Sequence, residues 1–295
     1  MTYTQENAGR IRTKKKSKLA DVWKRMKRNV GAVVGLGIIL IFALGAIFAN
    51  QIRPEELVTQ QDVTVRLQGP SSEHWFGTDA YGRDLFTRVL YGSRISLTIG
   101  IFTAAFSLMF GGILGAASAY YGGQLDNAIM RIMDMFTAIP GTLLALAIVA
   151  ALGANMTNLL IAITVSSIPG FARLIRSTVL TVVESDYVEA ARACGTRDGR
   201  IIFKHILPNA IGPIIIQTTS SISGMILQAS GLSYIGMGVQ PPKPEWGAMI
   251  SEAREFMRLY PYLMIFPGIC IILAALSFNL VGDGLRDALD PRLRD

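Results

Sequence analysis

The chain has 295 residues, 51% of them hydrophobic and only 17% charged, with a net charge of +7 and a mean hydropathy of +0.41. Such a composition excludes an ordinary soluble domain, and the length excludes a single membrane anchor.

In chain order, residues 1–29 form a basic tail. Ten Lys or Arg residues fall between Arg10 and Arg28, and the tail holds only two acids, Glu6 and Asp21. A basic run beside a span fixes orientation by the positive-inside rule and suits anionic lipid better than nucleic acid, which places the N-terminus in the cytoplasm. A span needs roughly 20 apolar residues. Runs near that length lie at Val30–Asn50, Ile95–Tyr121, Ala128–Leu152, Asn158–Leu174, Pro208–Leu232 and Tyr260–Gly282. Six spans return both termini to the cytoplasm and leave residues 51–94 and 233–259 outside. The first run is longer than the core of a signal peptide and reads as an uncleaved anchor. Its Gly31, Gly35, Gly37 and Gly45 suit close packing on another helix.

The outer segment after it carries His74-Trp75-Phe76-Gly77-Thr78-Asp79 and Gly82-Arg83-Asp84. It reads as a capped loop leading into a helix, with Trp75 and Phe76 at the membrane–water interface. Gly111 and Gly115 in the second span have the GxxxG spacing. In the third, Arg131 and Asp134 stand three apart and are placed to pair. Pro140-Gly141 is expected to kink the third span and Pro169-Gly170 the fourth.

A polar insert over 184–208 separates the fourth and fifth spans. Asp186 to Cys194 has helix-forming composition around Glu189-Ala190-Ala191. Gly195 is placed to end that helix in the left-handed conformation, Thr196 to cap the next turn, and Pro208 to block continuation and open the fifth span. The expectation is a compact knob of helix, glycine corner and short helix, able to sit in a groove on a partner. The fifth span is the most polar. Gln217, Ser220, Ser221, Gly224, Gln228 and Gly231 form a stripe that either bonds neighbouring helices or lines a wet cavity. A stiff proline turn and an amphipathic helix from Trp246 precede the last span, and a short polar tail, 283–295, ends the chain. Cys194 and Cys270 fall in different environments, so no disulfide is expected. With only His74 and His205, no metal site or catalytic residue is proposed.

The insert resembles the coupling (EAA) loop of ABC-importer membrane subunits, in which Glu-Ala-Ala is followed by Gly and then Ile-x-Leu-Pro. Glu189, Ala190, Ala191, Gly195, Leu207 and Pro208 match it; His205 stands where the pattern has Ile. Phe76-Gly77-Thr78-Asp79, Gly82-Arg83-Asp84, Trp246-Gly247 and Asp283-Gly284-Leu285-Arg286-Asp287 are similar to signatures of the dipeptide/oligopeptide/nickel permeases, DppC/OppC-like, and the likeness extends from about residue 20 onward. The resemblance implies an all-α membrane protein of six transmembrane helices, a type I ABC-importer (MetI-like) domain with a cytoplasmic coupling helix. Residues 30–94 would form the first helix and outer segment, and 95–282 the core permease domain. It implies a homologous second permease subunit, two ABC ATPase subunits that use ATP and Mg, and an extracytoplasmic substrate-binding protein, in a bacterial or archaeal cytoplasmic membrane. This chain itself has no GxxxxGK[ST] loop and no cofactor of its own. Peptides are the expected solute, with nickel, glutathione, opines or oligosaccharides as alternatives. An ion-coupled secondary transporter would need mid-span charges that are missing here. An intramembrane enzyme would need a catalytic constellation, and a scaffold would have no use for the knob.

Overall fold

The computed structural model describes residues 18–289; the basic run from Arg10 to Lys16 and the Asp290-Pro291-Arg292 tail lie outside them. Among the described residues the regular secondary structure is helical, apart from one isolated bridge between Thr78 and Asp84. A short helix α1 (Lys18–Met26) precedes α2 (Val30–Ile47). After an outer segment of short turns come α3 (Leu85–Tyr121), α4 (Gly123–Thr137), α5 (Gly141–Leu152) and α6 (Met156–Val183). The insert contributes α7 (Asp186–Ala193) and α8 (Asp198–Ile201). Then follow α9 (Leu207–Tyr234), α10 (Trp246–Ala253) and α11 (Tyr262–Leu289).

By length and composition α2, α3, α6, α11 and the continuous helix Asp198–Tyr234 can cross a membrane. The third expected span departs from a simple kink, because α4 and α5 meet at 82°. Proline biases the residue before it away from the helical region, and Pro140 itself takes the extended φ/ψ of an N-cap, so the chain turns a corner. Pro169, by contrast, lies inside an unbroken α6. The second span begins ten residues earlier than its apolar run, because Asp84 caps α3 by accepting from the Thr87 amide (2.8 Å) and hydroxyl (2.7 Å).

Small residues set the packing. Side chains at Gly111 and Gly115 would collide with the α6 backbone around Ile168 and Ala172, so the GxxxG face seats α3 directly on α6. Gly35 does the same for α2 on α11, against the Ser277 carbonyl and Val281. The Arg131–Asp134 pair does not form. Asp134 accepts from Arg173 of α6 (3.1 Å), and Asp126 takes both arms of Arg176 (2.6 and 2.5 Å). Arg173 reaches Asp134 from the neighbouring helix through a single N–H, and the two-armed fork is that of Arg176 on Asp126. Phe76 stacks flat on Phe266, ring centroids 4.0 Å apart, while Trp75 remains about half exposed.

Candidate functional site

The insert folds into a knob at one end of the bundle. Ser185 starts α7 without a side-chain cap. Its other end carries a complete Schellman closure: the Thr196 amide donates to the Ala191 carbonyl (3.1 Å) and the Gly195 amide to that of Arg192 (2.9 Å). Gly195 sits at φ +71, where any other residue except Asn would be strained. Thr196 does not cap the next helix; Arg197 stands at that position and its side chain makes no cap bond, since the amide and position of Thr196 are taken up by the closure.

Below this corner the knob is pinned by apolar side chains. Val188, Ile201 and Ile206 have no exposed surface and pack with Ala119, Tyr120, Ile175, Val179 and Ala210 of α3, α6 and α9. The Tyr120 hydroxyl bonds Asp198 at 2.7 Å, and Arg192 lies 4.7 Å from the Tyr120 ring centroid. The opposite face is open. Glu189, Ala190 and Gly195 are exposed, Ala191 is half-buried, and Tyr187 and Phe203 are exposed apolar residues beside them.

Pro208 does not interrupt the helix, contrary to expectation. Residues Ile202–Ile206 form a π-turn, and the Leu207 amide reaches back to the Ile202 carbonyl. The wider turn removes the need for a Pro208 N–H, so α8, the π-turn and α9 run as one helix from Asp198 to Tyr234. Leu207 packs against the pinning cluster, and Pro208 is exposed at the first turn of α9.

The polar stripe of α9 splits. Gln217, Ser221, Gly224 and Gln228 face a groove of about 520 Å³ shared with Ser167, Gly170, Phe171 and Leu174 of α6. The Gln217 amide reaches the Ser221 hydroxyl at 3.4 Å, and no ionisable side chain lines the groove. Ser220 faces the other way, against Gly282 of α11. Next to it the Ser223 hydroxyl bonds Asn279 of α11 at 2.9 Å. The stripe is thus divided between two faces of one helix, one on the groove and one on the seam with α11.

At the far end of the bundle the structure builds a cluster that no periodicity signals. Arg83 donates to Asp79 (2.6 Å) and Glu252 (2.7 Å), and Arg88 to Glu252 (2.8 Å) and Asp79. Both arginines are almost fully buried. Glu245 has no exposed surface; it caps α10 through the Ala248 amide (2.8 Å) and accepts from Ser96 of α3 (3.2 Å). Burial pushes its carboxyl above the ordinary glutamate range. The Trp246 indole donates to the Val89 carbonyl at 3.0 Å. The only sequence trace of this cap is the pair of short motifs around Arg83 and Trp246.

Two family models match the chain: the binding-protein-dependent transport system inner membrane component over residues 87–295, and the N-terminal transmembrane domain of oligopeptide transport permease C over 17–70. The dipeptide transport system permease protein DppC of Alkalihalophilus pseudofirmus is 48% identical over 274 residues, 93% of this chain and 90% of the relative. The glutathione transport system permease protein GsiD of Pectobacterium atrosepticum is 44% identical over 275 residues, 93% of this chain and 91% of the relative. A solved chain of the MetNI methionine ABC transporter in inward-facing conformations superposes with a TM-score of 0.56 at 17% identity, over 69% of this chain and 97% of that one. At that identity the likeness carries the fold alone.

Proposed function

This chain belongs to the family of binding-protein-dependent transport system inner membrane components, in its DppC/OppC-like branch, and on that premise we propose that it forms half of the translocation pathway of an ATP-driven peptide importer. The observation that carries the proposal is the single helix from Asp198 to Tyr234. Its first turns belong to the knob and its middle lines the uncharged groove, so displacement of the knob moves the groove wall.

The knob is suited to receive force. Its tip, Glu189, Ala190, Ala191 and Gly195, offers small residues for close approach and one carboxylate for a basic partner. Leu207 and Pro208 carry motion into α9. We assign the tip to a groove on an ABC ATPase subunit, which puts the knob and both termini in the cytoplasm. Two such ATPases would consume ATP and Mg, a homologous second permease would complete the pathway, and a binding protein would deliver solute at the α10 end. Gln217, Ser221 and Gln228 are assigned to the pathway, and Ser220 to the seam with α11. A dipeptide and glutathione, named for the relatives, are both short peptides. A groove of amides and hydroxyls supports passage of such solutes through main-chain hydrogen bonds without holding them by charge.

The test is affinity purification from native membranes with mass spectrometry of the companions, followed by peptide uptake in proteoliposomes. Co-purifying ATPases and a second permease, with uptake that needs ATP, are expected. Recovery of this chain alone, with uptake driven by a proton gradient, would overturn the reading.

A further inference from the structure

A second groove, of about 540 Å³, opens on the bundle surface between α2 and α3. One wall is Ile41, Leu44, Gly45 and Phe48, continuing to Ile52; the other is Phe86, Val89, Leu90 and Ser93, with Cys270 of α11 at the floor. Ile41, Leu44, Gly45 and Phe48 repeat at helical spacing along α2 and its C-cap, and Phe86, Val89, Leu90 and Ser93 along α3, so each set shares one face. Ile41 to Phe48 spans about 10 Å of helical rise, and the separate short helix Ala49–Ile52 carries the wall on to Ile52, a length on the scale of half a hydrocarbon core about 30 Å thick.

The groove is not uniform along its length. At the end marked by Ile52 and Phe86 stands a cation on an aromatic ring. The Arg53 guanidinium lies 5.6 Å from the Trp75 ring centroid, and Trp75 rests on Phe86 at 4.8 Å. Among the described residues no carboxylate lies within ion-pair distance of Arg53. Glu55 and Glu56 line a separate crevice with Tyr91 and Arg94.

We infer that this groove binds one membrane phospholipid, an acyl chain lying between α2 and α3 and the headgroup phosphate on Arg53 beside Trp75. The length fits the chain of a single leaflet, and an apolar floor with one basic mouth matches a molecule with one polar end. A helix of the second permease would cross both leaflets and would meet neither a half-length groove nor a lone cation. An acyl chain is as apolar in the bilayer as in the groove. Retention therefore comes from contact with the walls and from the charge-assisted bond at the mouth. A lipid held there wedges α2 onto the rest of the bundle, where α2 is otherwise largely exposed.

The whole complex, purified in mild detergent and washed free of loose lipid, is assayed by mass spectrometry for phospholipid per complex. The wild type is expected to keep one. Ile41→Trp fills the groove from an exposed position and Leu90→Trp from the opposite wall; each should lower retention at least tenfold. Arg53→Gln should lower it several-fold, most for anionic headgroups. Leu40→Trp, exposed but off the groove, should keep the wild-type amount. A wild type that keeps no lipid, or groove-filling variants that keep as much as the wild type, would overturn the inference. So would a disulfide between Phe48→Cys and a cysteine placed on the second permease, which would give the groove to protein.

Discussion

Two helices of eight residues stand at opposite ends of this molecule, α7 in the knob and α10 in the cap. In α7 only Val188 is buried, whereas α10 buries Trp246, Gly247, Ala248, Met249 and Ala253. The first begins at a serine that makes no cap bond and leaves Glu189 exposed. The second begins at a buried capping glutamate and ends beside Glu252, which holds two buried arginines. Length and helicity are the same; what differs is where the polar groups find partners. The cap pairs its arginines with carboxylates of the same chain and is packed into the bundle. The knob is fixed from below by apolar pins and leaves its polar face exposed.

The contrast is broken most severely at the glycine corner. Proline locks φ near −65°, while residue 195 needs +71. Gly195→Pro is expected to reduce ATP-driven uptake to background with membrane insertion unchanged, measured by uptake alongside protease accessibility. Normal uptake would show that the knob transmits nothing. In the cap, Glu252→Ala leaves Arg83 and Arg88 sharing Asp79 alone. Breaking a buried ion network costs about 3 kcal/mol, to be read from equilibrium unfolding in mixed micelles. A loss under about 1 kcal/mol, the scale of an exposed pair, would show that the cap is not cemented by charge.

Smaller effects sharpen the comparison. Gln217→Leu or Gln228→Leu removes a hydrogen-bonding group worth about 1 kcal/mol and should slow uptake about fivefold. Co-purification with partners should not change; loss of association instead would return the stripe to packing. The smallest effect concerns Glu245. Its folded pKa lies above the unfolded 4.5 because burial disfavours the charge. Its stabilising contribution is therefore full below about 4.5 and is lost as pH rises through the higher folded value. Glu245→Gln should remove that part of the fall in melting temperature with pH; an identical slope in both proteins would mean that Glu245 does not set it.

Sequence order alone determined the membrane class, the run of spans, the helix–glycine–helix knob and the membership of its tip, because each rests on local chemistry. Apolar length makes spans. Glycine at a helix end takes the left-handed turn. Glu-Ala-Ala makes a small-residue helix. Tertiary structure decided the rest. It made the third span a corner instead of a kink and sent Asp134 to Arg173 instead of Arg131. It let a π-turn carry the helix past Pro208. It divided the α9 stripe between groove and seam, turning Ser220 toward Gly282. It also assembled Asp79, Arg83, Arg88 and Glu252 from segments some 160 residues apart. Each of these outcomes is a competition between partners on different helices, and a linear pattern names the competitors without saying which ones meet.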